Sequence, residues 1–159
     1  TSCGICGKEI VKDILQHISR LPTGPILSAD HVQNCIDVLS DHQPLRRQTF
    51  ASHAAAIFNE NCELLASAED VGRHNALDKA IGYLLLKRLL PEACLLVLSS
   101  RTSYELIQKA ARAQIPIVVA VSRPTLLAVH LADRLDITLA CLAPDGGLYV
   151  FSGRGRLGL

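Results

Sequence analysis

The sequence predicts an α/β domain in which helices flank a mostly parallel mixed sheet, preceded by a short helical segment. Three observations carry that expectation. Hydrophobic residues make up 49 % of the 159 residues and aromatics only 4 %, so the core must be aliphatic, which suits helices packed on a buried parallel sheet. Short apolar runs such as Cys94–Leu98 and Ile115–Val121 alternate with longer amphipathic stretches, and that alternation implies right-handed crossover units. The length fits one domain with a core large enough to fold without disulfides or metals.

The elements follow in order. Apolar residues at Ile10, Val11, Ile14, Leu15 and Ile18 have helical spacing and predict a helix just after Cys3-Gly4-Ile5-Cys6. Leu21-Pro22-Thr23-Gly24-Pro25 ends it as a linker. Ser28-Ala29-Asp30 caps a second helix with Val32, Cys35, Ile36 and Leu39 on one face. Asp41–Gln48 is polar, contains Pro44 and reads as loop. His53–Phe58 and Glu63–Ala66 form a hairpin about Asn59-Glu60-Asn61. The loop Glu69–His74 introduces a helix over Asn75–Leu90; Cys94–Leu98 is a buried strand and Ser103–Ala113 a helix. Ile115–Val121, Pro124–Leu135 and Ile137–Leu142 repeat strand, helix and strand, and Leu148–Phe151 closes as an edge strand after Pro144-Asp145-Gly146-Gly147. The expected organisation is residues 1–27 as dithiol loop and helix, 28–152 as the main domain and 153–159 as a loose tail.

Charge and composition narrow the function classes. Sixteen Lys and Arg against fifteen Asp and Glu leave a net charge of +1, without the basic excess of a general nucleic-acid binder. No apolar run is long enough to span a membrane and no leader pattern opens the chain, so a cytoplasmic protein is expected. The chain opens at Thr1 rather than Met and reads as a piece of a longer product. Of six cysteines, Cys35, Cys62, Cys94 and Cys141 read as small buried hydrophobes, and a disulfide framework is not expected.

Cys3 and Cys6 differ, being flanked by glycines and followed by Lys8. A helix start and an ammonium both favour thiolate, the form that attacks sulfur, so the pair suits disulfide exchange or persulfide transfer. A zinc half-site is the competing reading, although no second pair of ligands is evident. A thioredoxin-type redox site is a third, although it lacks the preceding strand.

Further along, ligands of open α/β sheets sit where strands end and loops lead into helices. Three such loops are unusually polar: Glu69–His74, Ser99–Ser103 and Ser122–Thr125. The first sets Asp70, Gly72, Arg73, His74 and Asn75 at a helix mouth, a seat for phosphate or a solvated capping loop. The second offers the hydroxyls of Ser99 and Ser100 beside Arg101, suited to an anion or to helix capping. Ser122-Arg123-Pro124-Thr125 repeats the arrangement one strand later. His53, opening its strand, is expected on the same rim.

Taken together, Thr1–Lys8, His53-Ala54-Ala55-Ala56-Ile57-Phe58, Glu69–Lys79, Ser103–Pro116 and Ser122–Ala128 closely resemble the formate dehydrogenase accessory sulfurtransferase family (FdhD/NarQ-like). The resemblance implies a three-layer cytidine-deaminase-like fold, usually dimeric, and a sulfur carrier. Such a carrier takes persulfide sulfur from a cysteine desulfurase and passes it to the bis-molybdopterin guanine dinucleotide cofactor, which formate dehydrogenase then receives. By this likeness Cys3 carries the sulfur and Cys6 assists. His53, the three rim loops with Ser122 and Thr125, and the turn Leu142-Ala143-Pro144-Asp145-Gly146-Gly147 would hold the nucleotide ends, with guanine nucleotide as a mimic and no zinc. Deaminases pair His-Ala-Glu with Pro-Cys-x-x-Cys to activate water on zinc; the matching stretches here are His53-Ala54-Ala55 and Ser100-Arg101-Thr102-Ser103, so deamination is not expected. The alternative function is a molybdenum-cofactor chaperone that moves no sulfur. The chain departs from the family's pattern at Phe50-Ala51, where paired glycines are usual. It departs again at Ser100, where glycine is usual, and at Ala143–Gly147, where the turn is usually basic and glycine-rich.

Overall fold

Residues 18–159 are described by a computed structural model of the chain; Cys3, Cys6 and the helix expected after them lie outside these residues. The first element, α1 (Ala29–Asp41), begins where expected. Ser28 accepts a hydrogen bond from the His31 N–H at 3.2 Å, one of the orphan donors of a helix start. Val32, Cys35, Ile36 and Leu39 form its buried face.

The segment read as loop is partly helical: α2 spans Pro44–Thr49. Proline at the first helical position costs no hydrogen bond. Gln43 gives no side-chain cap; instead Glu69 accepts from the N–H groups of Leu45 at 2.7 Å and Arg46 at 2.9 Å. A cap supplied from so far along the chain leaves no local signature.

Strands β1 (His53–Phe58) and β2 (Leu64–Asp70) form the expected hairpin, with β2 running further, to Asp70 opposite His53. Helix α3 (Arg73–Lys87) leads through a 3-10 turn, Leu90–Glu92, to β3 (Leu95–Leu98). Then come α4 (Tyr104–Arg112), β4 (Ile117–Ala120), α5 (Leu126–Leu135), β5 (Thr138–Leu142) and β6 (Leu148–Ser152). Thr125 caps α5 by accepting from the Ala128 N–H, so Pro124 lies just outside the helix.

The six strands lie in the order β2-β1-β3-β4-β5-β6. This corrects the expectation of a mostly parallel sheet: only β3–β4 and β4–β5 pair in parallel, whereas β1–β2, β1–β3 and β5–β6 are antiparallel. The cause is that β2 does not neighbour β3. The connection through α3 passes over β1, which therefore runs opposite to the strands on both its sides. Its sequence fits that interior place, because five of its six residues are buried.

Alternate strand residues serve two cores, as the pleat demands. Ala55, Ile57, Leu96, Leu98 and Val118 pack with Leu77 and Leu84 of α3, Leu106 and Ile107 of α4, and Leu131 and Leu135 of α5. Ala54, Ala56, Phe58, Leu95 and Val97 pack with α1 and with Leu157. That last contact corrects the picture of residues 153–159 as a loose tail. Arg154–Leu157 forms a 3-10 turn with Arg156 and Leu157 buried, and Arg156 donates to Asp136 at 2.9 Å and to the Pro22 carbonyl at 3.2 Å.

Cys35, Cys94 and Cys141 are buried free thiols, and Cys62 is partly buried. Burial, reinforced by the neighbouring Cys62, pushes Cys35 up to about 12. Burial likewise pushes Cys94 up to about 11 and raises Cys141.

Candidate functional site: a cationic cavity at the strand ends

Because β1 runs opposite to β2 and β3, its first residue and the last residues of β2, β3 and β4 come to one edge of the sheet. There a cavity of about 520 Å³ is lined by Arg46, His53, Arg73, Ser99, Ser100, Arg101, Ser122 and Arg123. Four of these are guanidiniums, three are hydroxyls and none is acidic. The cavity therefore brings together His53, Arg73, Ser99, Ser100, Arg101 and Ser122 from the residues the sequence singles out.

Each is placed by identifiable local structure. Ser99 accepts from the Ala54 N–H at 2.8 Å, fixing the end of β3 against the start of β1. Ser100 is 4 % exposed and donates to the Arg101 carbonyl at 3.1 Å. Arg73 opens α3 behind a loop shaped by Asp70, which accepts from the Gly72 N–H at 2.9 Å and from Asn75 at 3.2 Å. Lys79 pairs with the same carboxylate. The Lys79 hydrogen bond, followed by that of Gly72, holds Asp70 down to about 2.

Two polar atoms of the lining are buried without a hydrogen-bond partner, His53 Nδ1 and Arg73 Nε. Buried polar groups are almost always paired, and an unpaired one costs about 1–3 kcal/mol. The charge of the lining, four guanidiniums beside three hydroxyls with no carboxylate, is of the sign and kind that charge-assisted hydrogen bonds to an anion require.

Other expected residues stand elsewhere. Asp70 and Gly72 build the loop before α3 rather than the cavity wall, and Asn75 in the first turn of that helix braces the loop. His74 lies 3.4 Å from the Ser103 hydroxyl and 4.0 Å from Glu105; desolvation and then the charge of Arg73 lower its pKa. Thr125 caps α5. Leu142 ends β5, and the turn Ala143-Pro144-Asp145-Gly146-Gly147 closes on itself. In that turn the Gly146 N–H donates to the Ala143 carbonyl at 3.0 Å, the Ala143 N–H to the Gly147 carbonyl at 2.8 Å, and the Gly147 N–H to Asp145 at 3.1 Å.

Arg46 and Arg123 were not among the expected site residues. Arg123 sits inside the Ser122–Thr125 repeat and was legible there; it also stacks on Tyr149, 5.5 Å from the ring centre. Arg46 depends on α2, whose cap is remote. A cavity of about 480 Å³ at the opposite strand ends, lined by residues that include Asn59, Glu60, Glu92 and Cys94, has no lysine or arginine among its described lining residues, a poor match for phosphate.

The FdhD/NarQ family profile matches residues 1–158. The chain is 40 % identical over 159 residues to a sulfur carrier protein FdhD of Xanthomonas euvesicatoria and 40 % identical over 157 residues to one of Bordetella bronchiseptica. It covers 100 % and 99 % of its own length in these matches but spans only 57 % of either relative. The crystal structure of a formate dehydrogenase accessory protein from Desulfotalea psychrophila superposes with a TM-score of 0.81 at 30 % identity, over 92 % of this chain and 62 % of that one. Sequence motifs, profile and backbone agree, and the chain belongs to the FdhD/NarQ family.

Proposed function

We propose that this chain carries sulfur on its Cys3/Cys6 pair and binds the bis-molybdopterin guanine dinucleotide cofactor, its substrate, in the cationic cavity. The cavity is the observation that carries this reading: four arginines and three serines with no carboxylate among them suit the diphosphates of a dinucleotide. The names of the relatives supply the sulfur role and the link to formate dehydrogenase.

In the proposed reaction the Cys3 thiolate attacks the outer sulfur of a desulfurase persulfide. A new S–S bond forms, the old one breaks and the donor leaves as thiolate. Cys6 thiolate then attacks Cys3 Sγ, releasing the outer sulfur as hydrosulfide for the molybdenum and leaving a Cys3–Cys6 disulfide. The two electrons come from the dithiol, and a thiol reductant restores it. The fold is read as a cytidine-deaminase-like three-layer domain whose mouth has become a binding pocket. Ala55 stands in place of the acid/base Glu, and Ser100 and Ser103 in place of thiolate ligands. On this reading the protein is a cytoplasmic homodimer that serves formate dehydrogenase; among the described residues no helix is long and apolar enough to cross a membrane.

Guanosine diphosphate titrated into the protein calorimetrically should bind saturably. Arg73→Ala and Arg101→Ala should each weaken binding by about tenfold or more, as expected for a lost charge-assisted hydrogen bond; unchanged affinity would remove the cavity from the mechanism. Incubation with a desulfurase and cysteine should add one sulfur, about 32 Da, that Cys3→Ala fails to acquire. If Cys3→Ala protein still activated formate dehydrogenase, the chaperone reading would replace the carrier.

A further inference from the structure

Between two residues of the cationic cavity the chain carries an apolar group that the binding of phosphate does not use. Helix α2 ends on Phe50, whose backbone is left-handed at φ 54° and whose side chain is 82 % exposed. Both facts are unusual for phenylalanine. A left-handed conformation costs a residue with a Cβ about 1–2 kcal/mol, and bulky residues there are outliers worth explaining.

The segment is not loose. The Phe50 N–H donates to the Arg46 carbonyl at 2.8 Å, and Arg46 donates to the Ser52 carbonyl at 3.2 Å. Glu69 holds the N–H groups of Leu45 and Arg46 and the Ser52 hydroxyl, the last at 2.8 Å. Phe50 is thus fixed between Arg46 and His53, which both line the cavity. Leu45 and Val71, on the same tied segments, are 50 % and 80 % exposed. An exposed aromatic ring carried between an arginine and a histidine of the cavity matches a nucleotide, whose base is planar and apolar on its faces and whose phosphates are anionic.

We propose that Phe50 is the base-stacking residue of this site: the ligand's phosphates occupy the arginine cavity while its purine lies on the Phe50 ring. The inference rests on the nucleotide reading of the cavity and adds what selects a nucleoside over a bare phosphate. Glycine at this position would suit the backbone but leave the base with no ring to stack on.

The test compares guanosine diphosphate with inorganic pyrophosphate on the full chain. Phe50→Gly suits the left-handed backbone and should keep the fold. It should weaken the nucleotide by about 5- to 150-fold, the range of one base–aromatic stack, while pyrophosphate affinity stays as in the wild type. The chain has no tryptophan, so Phe50→Trp introduces a single reporter whose emission should be quenched saturably by guanosine diphosphate and not by pyrophosphate. Equal nucleotide affinity in wild type and Phe50→Gly, or emission indifferent to saturating nucleotide, overturns the stacking role and leaves the phosphate cavity standing. If neither ligand binds the wild-type chain, the nucleotide reading fails and this inference with it.

Discussion

Glu69 shows how one side chain can organise a site it does not line. Burial alone would raise its pKa, but hydrogen bonds from Leu45, Ser52 and Arg46 and the charge of Arg47 outweigh this and hold it below the usual carboxylate range. A carboxylate with a depressed folded-state pKa contributes stability that is present above its unfolded pKa, near 4.5, and lost as pH falls through the lower folded value. Glu69→Gln keeps the shape and removes the charge. Thermal unfolding should show it destabilised by about 1 kcal/mol at pH 7, the size of a lost helix cap, with the gap from wild type narrowing below pH 4.5. Variation of that gap in the opposite direction would mean that Glu69 is not the anchor. The same residue marks a limit of legibility. Arg73, Arg101 and His53 were readable because each sits in a polar run at the end of a patterned strand or the start of a helix. Arg46 was not, since its position depends on a carboxylate more than twenty residues away.

At the level of elements, strands and helices after β1 were legible because their apolar periods are clean and their turns carry Pro, Gly, Ser or Thr. Strand direction was not. An interior strand buried on both faces reads alike whether its neighbours run with it or against it, so the pattern of β1 announces a hairpin but not a place between β2 and β3. The join between β6 and the final 3-10 turn carries no such signal, because Gly153 looks like a flexible tail residue in sequence. In the structure it is a tight corner: φ is +65°, and a Cβ there would lie 2.6 Å from Thr138 Oγ1 and 2.8 Å from Thr138 Cα. Thr138 also donates to the Gly153 carbonyl at 2.7 Å. Gly153→Ala should therefore cost about 2–4 kcal/mol, from left-handed strain and overpacking together. Urea unfolding will read this as a lower midpoint with an unchanged slope; a wild-type midpoint would show the corner free to adjust.

Across the whole molecule, the cavities at the two ends of the sheet differ in lining, with four arginines in the one where β2, β3 and β4 end and Glu60 and Glu92 in the other. A net charge of +1 hides that separation, so composition excluded a general nucleic-acid surface yet gave no hint of a local anion seat. The interior thiols add a second contrast. Burial raises the pKa of the Cys94 and Cys35 thiols well above the usual thiol range, which suppresses the thiolate, so neither is a ready nucleophile at neutral pH. In the proposed role, sulfur arriving on the amino-terminal pair thus meets no rival acceptor at these two positions. The aliphatic packing that stabilises the domain also acts as insulation for these two thiols, keeping them apart from the traffic of a reactive atom.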